Sequence, residues 1–215
     1  MNISNLDQLD HKWNDLKISE KLFCLAIDAQ KINFQIPCFS KFTRALNVAI
    51  IFELIESKLI EVDDEMNIHF ISATVYDRVH DFCMVFIRGI KQITRLKKFY
   101  HLLCCKQIGI QRIIRRDLVR KNIINVKKKS YLLYVKRRYS FQKTTTIPKI
   151  KAELAHILSE KNIQPENLLF IMLVSKLQLI QDKTIQGNIK LYLESIPQEK
   201  IPPEVHLTSQ LIFTS

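Results

Sequence analysis

The segment PENLLFIMLVSKLQLI, residues 165–180, decides the fold class because it is apolar on nearly every side of a helix. Pro165 suits the first turn of a helix, since the amide hydrogen that it lacks has no helical partner there. A helix without a polar face belongs at the centre of a bundle, where neighbours cover all of its sides. The segment therefore predicts a mainly α-helical protein, built as a single helical-bundle domain.

Helical spacing of apolar residues continues on both sides of this segment, and glycine is scarce, which also favours helices. Further helices are predicted over 19–30, 42–60, 76–99, 105–122, from Thr146 with Pro148 in the first turn, and over 188–196. Small β-hairpins are predicted over 60–73 and after Ile124, the second with its turn at 127–130 and a strand from Tyr131. We expect one domain over 1–215, with a core over roughly 19–196 and a Pro-rich tail over 197–215.

Positive charge is concentrated in residues 88–143, which hold 18 Lys and Arg and a single acid, Asp117. The whole chain carries +12, so the remainder is mildly acidic. Such a segment predicts a polyanionic partner, either nucleic acid or an anionic membrane surface. At helical spacing the cations form two stripes that are suited to binding phosphates. A solvated helix face is the alternative interpretation. The stripes are Arg88, Lys91, Arg95 and Lys98, then Arg112, Arg115, Arg116 and Arg120.

The stretch KKKSYLLYVKRR, residues 127–138, combines apolar and basic residues in an unusual order. Its centre is Tyr131, Leu132, Leu133 and Tyr134, and its flanks are Lys127, Lys128, Lys129, Lys136, Arg137 and Arg138. An aromatic and aliphatic tip gains by entering the headgroup–acyl boundary of a membrane, and flanking cations gain from anionic lipid. A strand packed on the core or in a dimer interface is the alternative interpretation.

The same residues also fit another class of protein, a winged-helix nucleic-acid binder. In that layout a basic helix enters the major groove and a basic hairpin contacts phosphates. An adaptor without a lipid role is a third interpretation.

Catalysis has little support in the sequence, so we expect no enzyme, no cofactor and no metal. His101 lies near Cys104 and Cys105, but adjacent residues on a helix point about 100° apart, a poor arrangement for metal ligands. The acidic turn formed by Glu61, Asp63, Asp64 and Glu65 is expected to be solvated, with a loose cation site as the alternative. The five cysteines are expected to be reduced and buried, as in a cytoplasmic protein.

The order of several motifs resembles the Golgi phosphoprotein 3 family, in the form of a short bacterial-like member. The motifs are LFCLAIDAQK (22–31), FELIESKLIEV (52–62), VYDRVHD (75–81), DLVRKNIINVKKKSYLLY (117–134) and QPENLLFIMLVSKLQLI (164–180). The resemblance covers roughly residues 19–196 and rests on order and spacing rather than on one specific motif. It implies a mostly helical domain with small hairpins.

The resemblance also implies a peripheral membrane protein that binds phosphatidylinositol 4-phosphate or another anionic lipid and acts as a membrane adaptor. Tyr131–Tyr134 fall on the hairpin tip that the family inserts into membranes. The family's headgroup residues fall on Cys38 and Asn47 and near Ile108 and Gln111, so this chain departs from the pattern there. Neighbouring cations that would replace them are Arg44, Arg112, Arg115 and Arg116. Further implied partners are cytosolic tails of membrane proteins and further copies of the chain, on the cytosolic face of the Golgi in a eukaryote.

Overall fold

The structure, a computed structural model, describes residues 16–29, 40–71, 75, 77–89, 95–130, 135–160 and 164–213. Its helices are α1 (Ile18–Asp28), α2 (Lys41–Glu56), α3 (Arg78–Gly89), α4 (Leu96–Cys105), α5 (Gln107–Arg120), α6 (Thr146–Ser159), α7 (Pro165–Leu177), α8 (Lys183–Ser195) and α9 (Pro203–Phe213). Its strands are β1 (Ile60–Val62), β2 (Ile68–Phe70), β3 (Ile124–Ser130) and β4 (Val135–Phe141). The expected fold class, mainly α with small hairpins, is confirmed.

Helices α2 and α7 form the centre of the bundle. Helix α7 is buried along most of its length and packs against α1, α2, α8 and α9, as its apolar sequence predicts. Helix α2 is buried from Phe42 to Leu54 except at Arg44, and it also contacts α3, α4 and strand β1. The Ser40 hydroxyl begins α2 by accepting a hydrogen bond from the Thr43 amide at 3.2 Å, which satisfies one free N–H of the first turn.

The prediction of a single helix over 76–99 is wrong. Helix α3 ends at Gly89, and α4 begins at Leu96 after residues that lie outside the described ones. Arg95 has extended backbone and forms a β-bridge with Asn67, while the Leu96 amide donates to the Met66 carbonyl at 2.8 Å. The backbone at 95–96 therefore pairs with the first hairpin, so the stripe from Arg88 to Lys98 does not lie on one helix.

The C-terminal segment is also not the tail that the prolines suggested. Pro203 opens helix α9, which packs against α2 and α7. Val205 and Thr208 are fully buried, and Leu211 is buried as well. The prolines precede a helix that covers the core, and they do not mark its end.

The two hairpins are separate antiparallel pairs, β1 with β2 and β3 with β4. The turn expected at 127–130 is wrong, because β3 continues to Ser130 and β4 resumes at Val135. Apolar pairs on the core side set this register, with Ile124 opposite Phe141 and Val126 opposite Tyr139. A slip by one residue would turn these side chains away from the core.

Candidate functional site

The β3–β4 hairpin brings all six predicted flanking cations together. Its register places them in three directly facing pairs, Lys127 with Arg138, Lys128 with Arg137, and Lys129 with Lys136. Like charges directly opposite each other destabilise an antiparallel pair. The apolar centre of the motif, Tyr131–Tyr134, lies outside the described residues, between the ends of the two strands in the chain.

Helix α5 carries the second group of predicted cations on one side. Arg112, Arg116 and Arg120 are exposed, and Ile110, Ile114 and Leu118 on the opposite side are fully buried. Arg115 is half-buried, and its Nη1 atom donates to the Tyr139 hydroxyl of β4 at 3.3 Å. This bond joins the helix to the hairpin. We call the α5 arginines and the six hairpin cations together the basic face, although the hairpin positions alternate between its two sides, with 127/138 and 129/136 on one side and 128/137 on the other.

Arg44 lies in a different neighbourhood from Arg115. It is half-buried on α2, and its charge acts on the thiol of Cys104 in α4. Burial raises the pKa of that thiol, while a hydrogen bond from Asn47 and the Arg44 charge oppose the rise. The structure therefore ties Arg44 to α4 and Arg115 to β4.

Two positions that the resemblance assigned to the lipid headgroup belong to a buried chain of amides. Gln111 donates to Gln107 at 3.2 Å, Gln107 donates to Asn47, and Asn47 donates to the Cys104 sulfur at 3.1 Å. Asn47 and Gln107 are fully buried. These groups satisfy one another and present amides where the family presents cations. The exposed position between them is Ile108.

A group of buried and half-buried polar residues, which the sequence did not predict, joins α1, α2 and α3. Glu53 accepts hydrogen bonds from the Ser19 amide at 2.7 Å and the Ser19 hydroxyl at 3.1 Å. The His80 Nε2 atom lies 3.3 Å from the Glu53 carboxylate, and Lys17 pairs with Asp77 at 2.9 Å. We call Lys17, Ser19, Glu53, Asp77 and His80 the ion cluster. Its charges are paired within the fold, so it has a structural role.

The surroundings of Glu20 and Asp77 shift the pKa values of these two carboxylates in opposite directions. Burial raises the pKa of Glu20, although Lys121 opposes the rise from 2.6 Å. Burial also opposes ionisation of Asp77, but the His80 amide and the charges of His80 and Lys17 hold its pKa below the usual range. Asp77 also accepts from the Val79 and His80 amides at 2.9 Å, which caps the start of α3.

A groove of about 300 Å³ runs between α3 and α5. Its apolar lining is Phe82, Val85 and Phe86 of α3 with Ile113 of α5, and its polar lining is Arg78, Asp81, Arg116 and Asp117. The Phe82 ring lies against Gly109, where an added Cβ would come within 2.7 Å of it. Gly109, which has no side chain, thus leaves room for the aromatic wall of the groove.

The predicted acidic turn lines a second groove, of about 510 Å³, between the β1–β2 hairpin and α9. Asp63 accepts from His69 at 2.7 Å and from the Asn67 amide at 2.7 Å, which lowers its pKa to about 2. Asp63 therefore serves the turn itself. Within the described residues, no group of three or more His, Cys, Asp or Glu side chains could hold a metal ion.

No protein-family model matches the chain. A search of curated proteins also finds none that matches it. The resemblance to the Golgi phosphoprotein 3 family therefore stays a prediction that rests on the motifs. Within the described ranges, none of the helices combines the length and the apolar character that crossing a bilayer requires.

Proposed function

We propose that the protein is a peripheral membrane protein that binds anionic phospholipid through the basic face. The observation that carries the proposal is the register of β3 and β4, which pairs cation with cation at three successive positions. Such pairs weaken a hairpin when no counter-charge is present. An anionic surface supplies the counter-charge, at about 1 kcal/mol for each Lys or Arg near it.

The sequence between the two strands suits the same surface. Tyr-Leu-Leu-Tyr offers apolar area for the headgroup–acyl boundary, with hydroxyl groups that can stay in contact with water. One weak apolar signal or one weak charge signal gives only reversible attachment, while two together anchor a protein stably. The Arg115–Tyr139 bond supports a common docking side for α5 and the hairpin.

The lipid that we propose is an anionic phospholipid in general, with phosphatidylinositol 4-phosphate as the specific case that the resemblance suggests. Amides, a buried one at Asn47 and a half-buried one at Gln111, occupy two of the positions from which that specificity would come. A role as a cytosolic adaptor for the tails of membrane proteins belongs to the same proposal.

Co-sedimentation with vesicles tests the proposal. Vesicles of phosphatidylcholine alone, of phosphatidylcholine with phosphatidylserine, and of phosphatidylcholine with phosphatidylinositol 4-phosphate separate charge from headgroup specificity. We expect binding to both anionic mixtures and its loss in the double variant Tyr131→Ser, Leu133→Ser. Leu191→Ser is the matched control, because Leu191 is 67% exposed on α8. Equal binding to neutral vesicles, or an unaffected double variant, would refute the proposal.

One structural observation favours the runner-up, nucleic-acid binding. Helix α5 leads directly into the β3–β4 hairpin, with α3 and α4 packed on it, which is the element order of a winged helix. A gel-shift assay with duplex DNA and with RNA, at the ionic strength of the vesicle assay, tests this candidate. Retention of nucleic acid by the protein, weakened by Arg112→Gln but not by the Tyr131/Leu133 double variant, would favour it over lipid.

A further inference from the structure

We infer that the groove between α3 and α5 holds one acyl chain and the phosphate of an anionic phospholipid. The inference rests on the proposed function and adds to it a defined lipid site. Val85 and Phe86 line one wall with Phe82, and Ile113 lines the other. Val85 is 56% exposed among the described residues, a large fraction for an apolar side chain.

The walls of the groove are held in shape by packing. The rings of Phe82 and Phe86 meet edge to face, with their centroids 4.8 Å apart. Gly109 lets the Phe82 ring lie close to the α5 backbone. The Lys106 ammonium lies 5.0 Å from the centre of the Phe86 ring, which places a cation at the apolar wall. A preformed apolar groove binds a chain without the entropy loss of ordering its own walls.

The rim charges favour a phosphate over a cationic ligand. Arg78, Arg116, Asp81 and Asp117 line the groove, so its own charges balance. Arg120 bonds Asp117 at 3.2 Å and compensates that carboxylate. Lys106 adds a further positive charge beside the Phe86 ring, although it does not itself line the groove. Arginine offers phosphate two parallel donors, which suits Arg116 to the headgroup.

The position of the groove joins it to the proposed membrane side. At about 100° per residue, the side of α5 that carries Ile113 and Asp117 faces α3, while Arg115 points to β4. Arg112 and Arg116 lie between these two directions. A lipid whose phosphate sits on these arginines can place one chain in the groove while the hairpin meets the bilayer. The buried amide chain of Gln111 and Gln107 lies on another side of α5 and takes no part.

Calorimetric titration with dihexanoyl phosphatidylglycerol, kept monomeric below its micelle concentration, tests the site without a membrane. Glycerol phosphate lacks the chains, and dihexanoyl phosphatidylcholine lacks the net charge. We expect binding of the first compound, none of the second and weaker binding of the third. Failure of the full chain to bind monomeric phosphatidylglycerol would overturn the inference, and equal affinity for phosphatidylcholine would overturn the choice of an anionic lipid.

Two variants with matched controls place the binding in this groove. Val85→Asp puts a charge on the exposed apolar wall and is expected to weaken binding roughly tenfold. Leu191→Asp makes the same kind of change on α8 and should leave binding unchanged. Arg116→Gln removes one charge-assisted contact, again roughly tenfold, and is compared with Lys183→Gln. Affinity unchanged by both groove variants would place the lipid elsewhere and overturn the inference.

The outcomes also separate this site from the proposed function. Vesicle binding without binding of the monomeric lipid would overturn the groove and leave the membrane proposal standing. Binding of the monomeric lipid, without vesicle binding, would support the groove and refute the membrane proposal. The Tyr131→Ser, Leu133→Ser variant should lose vesicles and keep the monomeric lipid. If it loses both, the groove is not an independent site and the inference fails.

Discussion

The ion cluster contains charges of opposite sign that pair with each other, whereas the hairpin of the basic face places like charges opposite one another. In the ion cluster, Lys17 pairs with Asp77, and Glu53 accepts hydrogen bonds from Ser19 beside His80. In the basic face, the hairpin register sets cation opposite cation three times. Charges that the fold satisfies internally contribute to stability, while charges that oppose each other weaken it. The proposed binding of an anionic partner would account for this difference, because the partner would supply the counter-charge that the fold does not place opposite these cations.

Removal of the Glu53 carboxylate should give the largest effect. Glu53→Ala leaves the buried Ser19 amide without its acceptor and removes the carboxylate beside His80, at a position where Glu53 is only 7% exposed. Breaking such a buried pair lowers the free energy of unfolding by about 3–5 kcal/mol. Urea denaturation measures the loss. Glu56→Ala on the exposed end of the same helix is the control, expected to stay within about 0.5 kcal/mol. Equal losses of unfolding free energy in the two variants would mean that the ion cluster contributes no more to stability than an exposed carboxylate.

The stability difference between the parent and Asp77→Ala, followed as a function of pH, tests whether the ionised Asp77 carboxylate stabilises the same cluster. The pKa of Asp77 is lowered in the folded protein, so its stabilising effect is present above the unfolded value of 3.8 and is lost as pH falls through the folded value. We expect the variant to be about 1 kcal/mol less stable at pH 6, where the ionised cap holds the first turn of α3. This difference should shrink below pH 3.8. A difference that stays constant from pH 6 to pH 2.5 would contradict the ionic role.

Gly109 and Gly187 compare a tightly packed helix position with an open one. Alanine gains about 1 kcal/mol over glycine inside a helix. Gly187→Ala should show this full gain, because nothing lies within 4 Å of the added Cβ. Gly109→Ala should fall short of it by about 1 kcal/mol or more, because the Phe82 ring must move. Thermal unfolding measures both. Equal gains would show that the Phe82 wall is loosely held.

The sequence predicted what depends on local pattern. The apolar segment at 165–180 indicated a central helix, and helix α7 is buried as expected. The spacing of Arg112, Arg115, Arg116 and Arg120 predicted one helix side, and α5 presents it. Periodicity suffices for such features, because a helix places residues three and four apart on one face.

Features that depend on distant partners could not be predicted from the sequence. The ion cluster joins Lys17, Glu53 and Asp77, which no local pattern brings together. The hairpin register depends on apolar pairs such as Val126 with Tyr139, while the charges around them gave no indication of the turn. The C-terminal prolines suggested a tail, because burial of Val205 against α2 and α7 is a tertiary effect.

Reversal of one charge in the middle hairpin pair tests the central claim most directly. Arg137→Glu places a carboxylate opposite Lys128 and turns a like-charge pair into an attractive one. We expect the free energy of unfolding to rise by about 0.2–1 kcal/mol, and binding to anionic vesicles to weaken by roughly tenfold or more, since two charge units are lost. Lys183→Glu on α8 makes the same charge change away from the basic face and should leave vesicle binding unaltered. A variant that loses stability and binds anionic vesicles as tightly as the parent would contradict the account.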